Sequence, residues 1–74
     1  MKGNNMSVQN RFLSYLIENK TPVMIFLMAG VKLQGVIIDS DADGILVDYN
    51  NRVQFIYKQA ISTITPAHPI DDWK

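Results

Sequence analysis

The sequence predicts a mostly β domain led by one α-helix, its five short strands wrapped into a small, strongly bent antiparallel barrel. Three observations carry this. A helical period of apolar residues occupies only the stretch after Ser7. Beyond Pro22 the chain turns to short runs rich in Val, Ile, Leu and aromatics, the vocabulary of strands. Tight turns built from Gly, Asn and Asp separate those runs, leaving no room for crossover helices between parallel strands.

Residues 1–6 are polar and unpatterned and are expected to be loose. In the helix, expected over about residues 8–19, Phe12, Leu13, Leu16 and Ile17 share one face. Ser7 is positioned as its N-cap, and Arg11, Ser14 and Glu18 face water. Thr21 precedes Pro22, which pushes it out of the α region and stops the helix before it. Val23 to Met28 is apolar at both parities, so a strand covered on both faces is expected. Ala29-Gly30 is read as a two-residue turn, and Val31 to Ile38 as the second strand, bent at Gly35. Asp39 to Gly44 reads as a turn and Ile45 to Val47 as the third strand. Tyr49-Asn50-Asn51 turns again before the fourth strand, Val53 to Tyr57. The fifth, Ala60 to Thr65, is stopped by Pro66 and Pro69. The expected organisation is one domain over 7–66 with a short tail, 67–74, that carries Asp71, Asp72 and Trp73.

At 74 residues and 8.4 kDa, a lone core is marginal. With no cysteine, disulfides and thiolate zinc sites are excluded as staples. Oligomerisation is the remaining common remedy, and 47% hydrophobic residues can furnish an interface. The longest apolar run, Val23 to Ala29, falls far short of the roughly 18 residues that cross a bilayer. The polar N-terminus lacks an apolar signal core, so a soluble cytoplasmic chain is expected. Seven basic residues balance seven acidic ones, which weighs mildly against a nucleic-acid partner. The acids cluster, however. Asp39, Asp41, Asp43 and Asp48 fall within ten residues, leaving the rest modestly basic.

Two segments then point to a family. Gly30-Val31-Lys32-Leu33-Gln34-Gly35, and an ending that runs Tyr57-Lys58-Gln59-Ala60-Ile61-Ser62-Thr63, resemble Hfq, the bacterial branch of the Sm/Lsm family. The second segment departs at one position from the family's usual Tyr-Lys-His-Ala-Ile-Ser-Thr. The resemblance spans about residues 7–66. It implies an Sm-like (SH3-like) barrel, closed with its copies into a homohexameric ring around a pore, the fourth strand of one subunit pairing with the fifth of the next. It also implies single-stranded RNA as partner, post-transcriptional regulation as an RNA chaperone, no catalysis and no cofactor.

Carried over position by position, the resemblance places an A-rich RNA site on the distal face. Phe26 stands where the family usually has a stacking tyrosine. Gly30, Val31, Lys32, Leu33 and Gln34 line adenine pockets that Gln54 and Thr63 complete. A carboxamide donates and accepts together, matching an adenine edge, and each stacked base contributes about 1–3 kcal/mol. The competing reading makes Phe26 and Leu33 core or interface apolars. On the proximal, pore-side face Gln9 and Lys58 match uracil contacts, but the family histidine is Gln59 and the stacking aromatic is Gly44. Asp39, Asp41 and Asp43, repeated around a pore, would repel phosphate, so weakened U-rich binding is expected. Lys58 could equally be a salt-bridge partner for one of them. On the rim Lys20, helped by Arg11, is what remains of an arginine patch; a lysine there can also be merely solubilising.

Other chemistries have less support. Asp39 to Gly44 opens like a calcium loop, with oxygen ligands at positions 1, 3 and 5 and Gly at 6. It lacks the closing glutamate, having Asn50 there, and an Asp-rich β-turn explains it equally well. Asp39, Asp41 and Asp43 thus stand only as weak candidates for a divalent cation. His68, the single histidine, lies between tail residues without a nucleophile or triad partner, so no enzyme is expected. The alternative function is an Sm-like ring acting as a protein-interaction scaffold.

Overall fold

The structure, a computed structural model, describes residues 7–70. Helix α1 (Val8–Glu18) is followed by strands β1 (Pro22–Leu27), β2 (Lys32–Ser40), β3 (Gly44–Tyr49) and β4 (Arg52–Tyr57), a 3-10 turn over Lys58–Ala60, and β5 (Ile61–Pro66). The expectations for residues 1–6 and for Asp71, Asp72 and Trp73 lie outside the described residues. Among the described residues no helix is long and apolar enough to cross a membrane.

Both ends of α1 are closed by backbone chemistry. The Ser7 side chain accepts from the Asn10 N–H at 3.0 Å, satisfying one of the donors that a helix start leaves orphaned. At the other end Lys20 takes a left-handed φ of 49°. Its N–H donates to the Ile17 carbonyl at 3.2 Å, and the Thr21 N–H to the Leu16 carbonyl at 3.1 Å. This is the paired closure of a Schellman motif, a place that favours glycine. The helix buries Leu13 and Leu16 and packs chiefly on β2.

The five strands form one antiparallel sheet in the order β4-β3-β2-β1-β5. It is strongly bent, as expected, but not closed: β4 and β5 are its two edges and do not pair within the chain. The core is wholly apolar, with Leu13, Leu16, Val23, Ile25, Ile37, Ile45, Val47 and Ile56 buried in one cluster. Gly35 marks the close approach of β2 and β3, where an added Cβ would stand 2.6 Å from the Asp48 carbonyl oxygen.

Several sequence expectations shift. Strand β1 is covered on one face only: Val23 and Ile25 are buried, whereas Phe26 is 37% exposed and Met24 half-buried. The β1–β2 connection is a four-residue loop, Met28 to Val31, rather than a two-residue turn. It is held by Leu27 N–H to Val31 O (2.8 Å) and Gly30 N–H to Leu27 O (2.9 Å). Gly30, at φ 91°, supplies the backbone conformation that other residues resist. Asp39 and Ser40 belong to β2, because a register shift after Ile37 lets them pair with Leu46 and Ile45. Strand β3 begins at Gly44 and runs to Tyr49, and Ala60 falls in the 3-10 turn rather than in β5. Ser14 is half-buried rather than facing water.

The strained helix end gives a stability prediction. A left-handed conformation costs an L-residue about 1–2 kcal/mol, partly offset by the extra freedom glycine gains when unfolded, about 0.5–1 kcal/mol. Lys20→Gly should therefore raise stability by about 0.5–1 kcal/mol, measured as a higher denaturation midpoint at unchanged m-value.

Candidate nucleic-acid interface

The register of β1 decides which predicted site residues meet. Phe26 is the Cα partner of Lys32 on β2 and of Thr63 on β5. Directly opposed residues share a side of the sheet, so Thr63, Phe26 and Lys32 form one row across three strands on the face away from the core. The next row outward along β1 is Thr65, Met24 and Gln34. A planar aromatic thus stands beside a cation, with a carboxamide one row away. Gly30 and Val31 sit in the adjoining loop, Val31 being 51% exposed.

Two predicted members lie apart. Leu33 is opposite the fully buried Ile25, so it leans toward the core and packs partly against it. Gln54 pairs with Val47 on β4, three strands from β1 and so roughly 14 Å away along the sheet. Within one chain it cannot join Phe26.

Gln9 and Lys58 do come together, in a groove of about 230 Å³ between the helix start and β5 that Thr63 also borders. Gln59 lies in an adjacent groove with Ala42, Asp43, Tyr57 and Lys58. What ties Lys58 to the acidic loop is its backbone N–H, donating to the Asp43 carbonyl at 2.8 Å. The Asp41 carboxylate accepts from the N–H groups of Asp43 (2.8 Å) and Gly44 (3.0 Å) through one oxygen, a turn-closing arrangement. The Asp39 carboxylate accepts from the Ser40 N–H at 2.8 Å. Among the described residues no group of three or more acidic or histidine side chains is placed to hold a metal ion. Arg11 and Lys20 are both exposed, and His68 is exposed in the tail.

Comparison with known proteins bears on this geometry. The family model described as "Hfq protein" matches residues 8–71. The chain belongs to the Hfq family. Its relatives include proteins named "RNA-binding protein Hfq" from Rhodospirillum rubrum, 48% identical over 64 residues (86% of this chain, 77% of that protein), and from Ruegeria pomeroyi, 46% identical over 70 residues (95% and 89%). The 1.55 Å crystal structure of "the pleiotropic translational regulator, Hfq" superposes with a TM-score of 0.78 at 32% identity, covering 80% of this chain and 98% of that one. The family resemblance read from the two segments is thereby borne out, as is the helix-plus-five-strand fold.

Phe55 escaped the sequence reading of this Hfq-family chain. The room above Gly44 is filled from β4: a Cβ at 44 would stand 2.5 Å from Phe55 Cζ and 2.5 Å from the Ile56 carbonyl oxygen. The Phe55 ring, 43% exposed, also meets Tyr57 edge-on at a 5.0 Å centroid distance. The signal was present in the alternation of Val53, Phe55 and Tyr57 on one side of β4, with Gly44 paired to Tyr57. An aromatic surface therefore remains where Gly44 had implied none.

That packing predicts intolerance at Gly44. Gly44→Ala must displace both a ring and a backbone carbonyl, at a cost of about 1–3 kcal/mol. Adding Phe55→Ala should not restore stability, because the Ile56 carbonyl clash persists; chemical denaturation of the single and double variants measures both.

Proposed function

We propose that this chain is a single-stranded RNA-binding protein that prefers A-rich sequence on the Thr63–Phe26–Lys32 face, acts as a ring of identical copies, and regulates RNA after transcription without catalysis. The carrying observation is the row itself, an exposed aromatic between a cation and a hydroxyl with Gln34 adjacent. An unstacked base lies on the Phe26 ring, Gln34 pairs with the adenine edge, and Lys32 neutralises backbone phosphate. The relatives' names support RNA as the ligand class.

The separation of Gln54 from Phe26 supports the ring. If β4 of one copy pairs with β5 of the next, two unpaired edges are satisfied and Gln54 arrives beside the neighbour's Thr63. Val53 and Tyr57, 58% and 57% exposed on the β4 edge, would be covered by the same pairing. A hexamer and a cytoplasmic location follow from the family resemblance.

The pore-side face is proposed to bind U-rich RNA only weakly. Gln9 and Lys58 are together there, but Asp39, Asp41 and Asp43 are exposed or at the exposed turn nearby, and their repetition around a ring opposes phosphate.

Fluorescence anisotropy of labelled oligo(A) and oligo(U) at two salt concentrations tests this directly. Oligo(A) should bind preferentially and more weakly at higher salt. Phe26→Ala and Gln34→Ala should each cost about 1–3 kcal/mol in oligo(A) binding. Unchanged affinity in both variants would remove the site, and no RNA binding at low salt would favour a protein-interaction scaffold instead.

A further inference from the structure

On the outward side of β2, β3 and β4 lies an open groove of about 260 Å³, lined by Asp39, Ser40, Asp41, Leu46 and Phe55. Asp39 is the Cα partner of Leu46, and Leu46 of Phe55, so the three form one row across three strands. A β-bulge builds that row. Ile37 is fully buried, and simple alternation would turn Asp39 the same way, into the core. The register shifts between Ile37 and Asp39, with Ile38 as the extra residue. The bulge re-aims the carboxylate outward, where Asp39 is exposed.

The aromatic end of the row is braced. The Phe55 ring leans from β4 over Gly44 of β3 and meets Tyr57 in a T-shaped contact, so it lies on the face of the sheet rather than at its margin. At the other end Asp39 and Asp41 each accept backbone N–H groups through one oxygen. Among the described residues the second oxygen of each carboxylate has no partner. Asp48, two residues along β3 from Leu46 and exposed, adds a third negative charge, and no cation lines the groove. An exposed ring ringed by carboxylates turns phosphate away, and no group here is placed to hold a metal ion. The surface instead complements an organic cation with a flat face.

We propose that this groove binds an arginine side chain from a basic, extended segment of a partner protein. The guanidinium stacks on Phe55 and pairs with the open oxygen of Asp39, while the aliphatic stem lies on Leu46. The Cα atoms of Asp39 and Phe55, two strands apart, are separated by about 10 Å, so one planar fork between them reaches both. Lysine fits less well, because a compact ammonium neither stacks nor pairs bidentately. Lys32 and Asp39 stand near opposite ends of β2, so the inference does not rest on the RNA reading, and a protomer holds a basic segment here without giving up the Phe26 row.

The test is fluorescence anisotropy with a labelled peptide of alternating glycine and arginine, and with its glycine–lysine counterpart, in the absence of RNA. The arginine peptide should bind about threefold or more tighter than the lysine peptide. Asp39→Asn keeps an acceptor for the Ser40 N–H but removes the charge, and Phe55→Leu keeps an apolar side chain but removes the ring. Each should weaken the arginine peptide by about threefold or more and leave oligo(A) affinity unchanged. In the unaltered protein the Phe55 ring and Leu46 methyl resonances should shift on adding the arginine peptide while those of Phe26 stay, a readout independent of how any variant folds. Equal affinity for the two peptides, or indifference to Asp39→Asn, would reduce the effect to plain charge attraction and overturn the site. A fall in oligo(A) affinity in either variant would return the groove to the RNA surface. Phe55→Leu that changes the oligomeric state by sedimentation without weakening the peptide would give the face to a second copy of the chain, and either result also overturns the proposal.

Discussion

The register of β1 is the constraint on which the rest of the molecule depends. This strand pairs on both sides, with β2 and with β5. Its alternate residues Val23 and Ile25 are fully buried, while Met24 and Phe26 face outward. A slip of one residue would exchange the two sets, exposing the centre of the core and burying the aromatic of the candidate site. Core and site are thus two sides of one hydrogen-bonded ladder. The loop held at Gly30 and the shift between Phe26 and Leu27 fix where that ladder starts and stops.

An open sheet carries a second constraint. Eight buried apolar side chains form the core of the described chain, and the backbone groups on the outer sides of β4 and β5 have no strand partner within it. Exposed edges invite pairing with another chain. Here the edge strand β4 carries Val53, Phe55 and Tyr57 outward rather than the charges that usually discourage such pairing. Pairing of β4 with the β5 of another copy, as proposed, answers both the stability problem of a short chain and the isolation of Gln54. Binding chemistry and assembly are then coupled, since a carboxamide from one copy completes a pocket built on the next.

Much of this was legible in the residues. The helix period at Phe12, Leu13, Leu16 and Ile17, its stop ahead of Pro22, and the five strand-like runs gave element order almost unaided, because each is a local signal. What failed was non-local. That β2 continues through Asp39 and Ser40 depends on a register shift against β3, which composition cannot announce; three aspartates in five residues look like a turn. Val23 to Met28, apolar at both parities, read as a strand covered on both faces, and only the pairing and burial show that Met24 and Phe26 face outward. Phe55 was hidden for a related reason: its contact with Gly44 crosses strands, so a glycine read alone signalled an aromatic lost rather than space occupied from the neighbouring strand. Tyr49, read as the first residue of a turn, closes β3 instead, which only its pairing with Arg52 shows.

Charge placement gives the last step. A net charge of zero would ordinarily speak against a polyanion as ligand, since phosphate neutralisation dominates non-specific affinity. The charges here are segregated instead. Lys32 stands in the Phe26 row, whereas Asp39, Asp41 and Asp43 sit at the far end of β2 and in the turn that follows. Lys32 and Asp39 stand near opposite ends of the nine-residue β2, a contour of about 23 Å against a screening length of about 8 Å at physiological salt. The acids therefore do little to weaken phosphate contacts at Lys32, while governing the turn they occupy. On the proposed reading, a face with few cations draws its affinity from stacking and carboxamide pairing, terms that distinguish bases rather than merely attract phosphate. On that account low net charge is the composition of a selective binder with a shallow salt dependence, not the mark of a protein that avoids RNA.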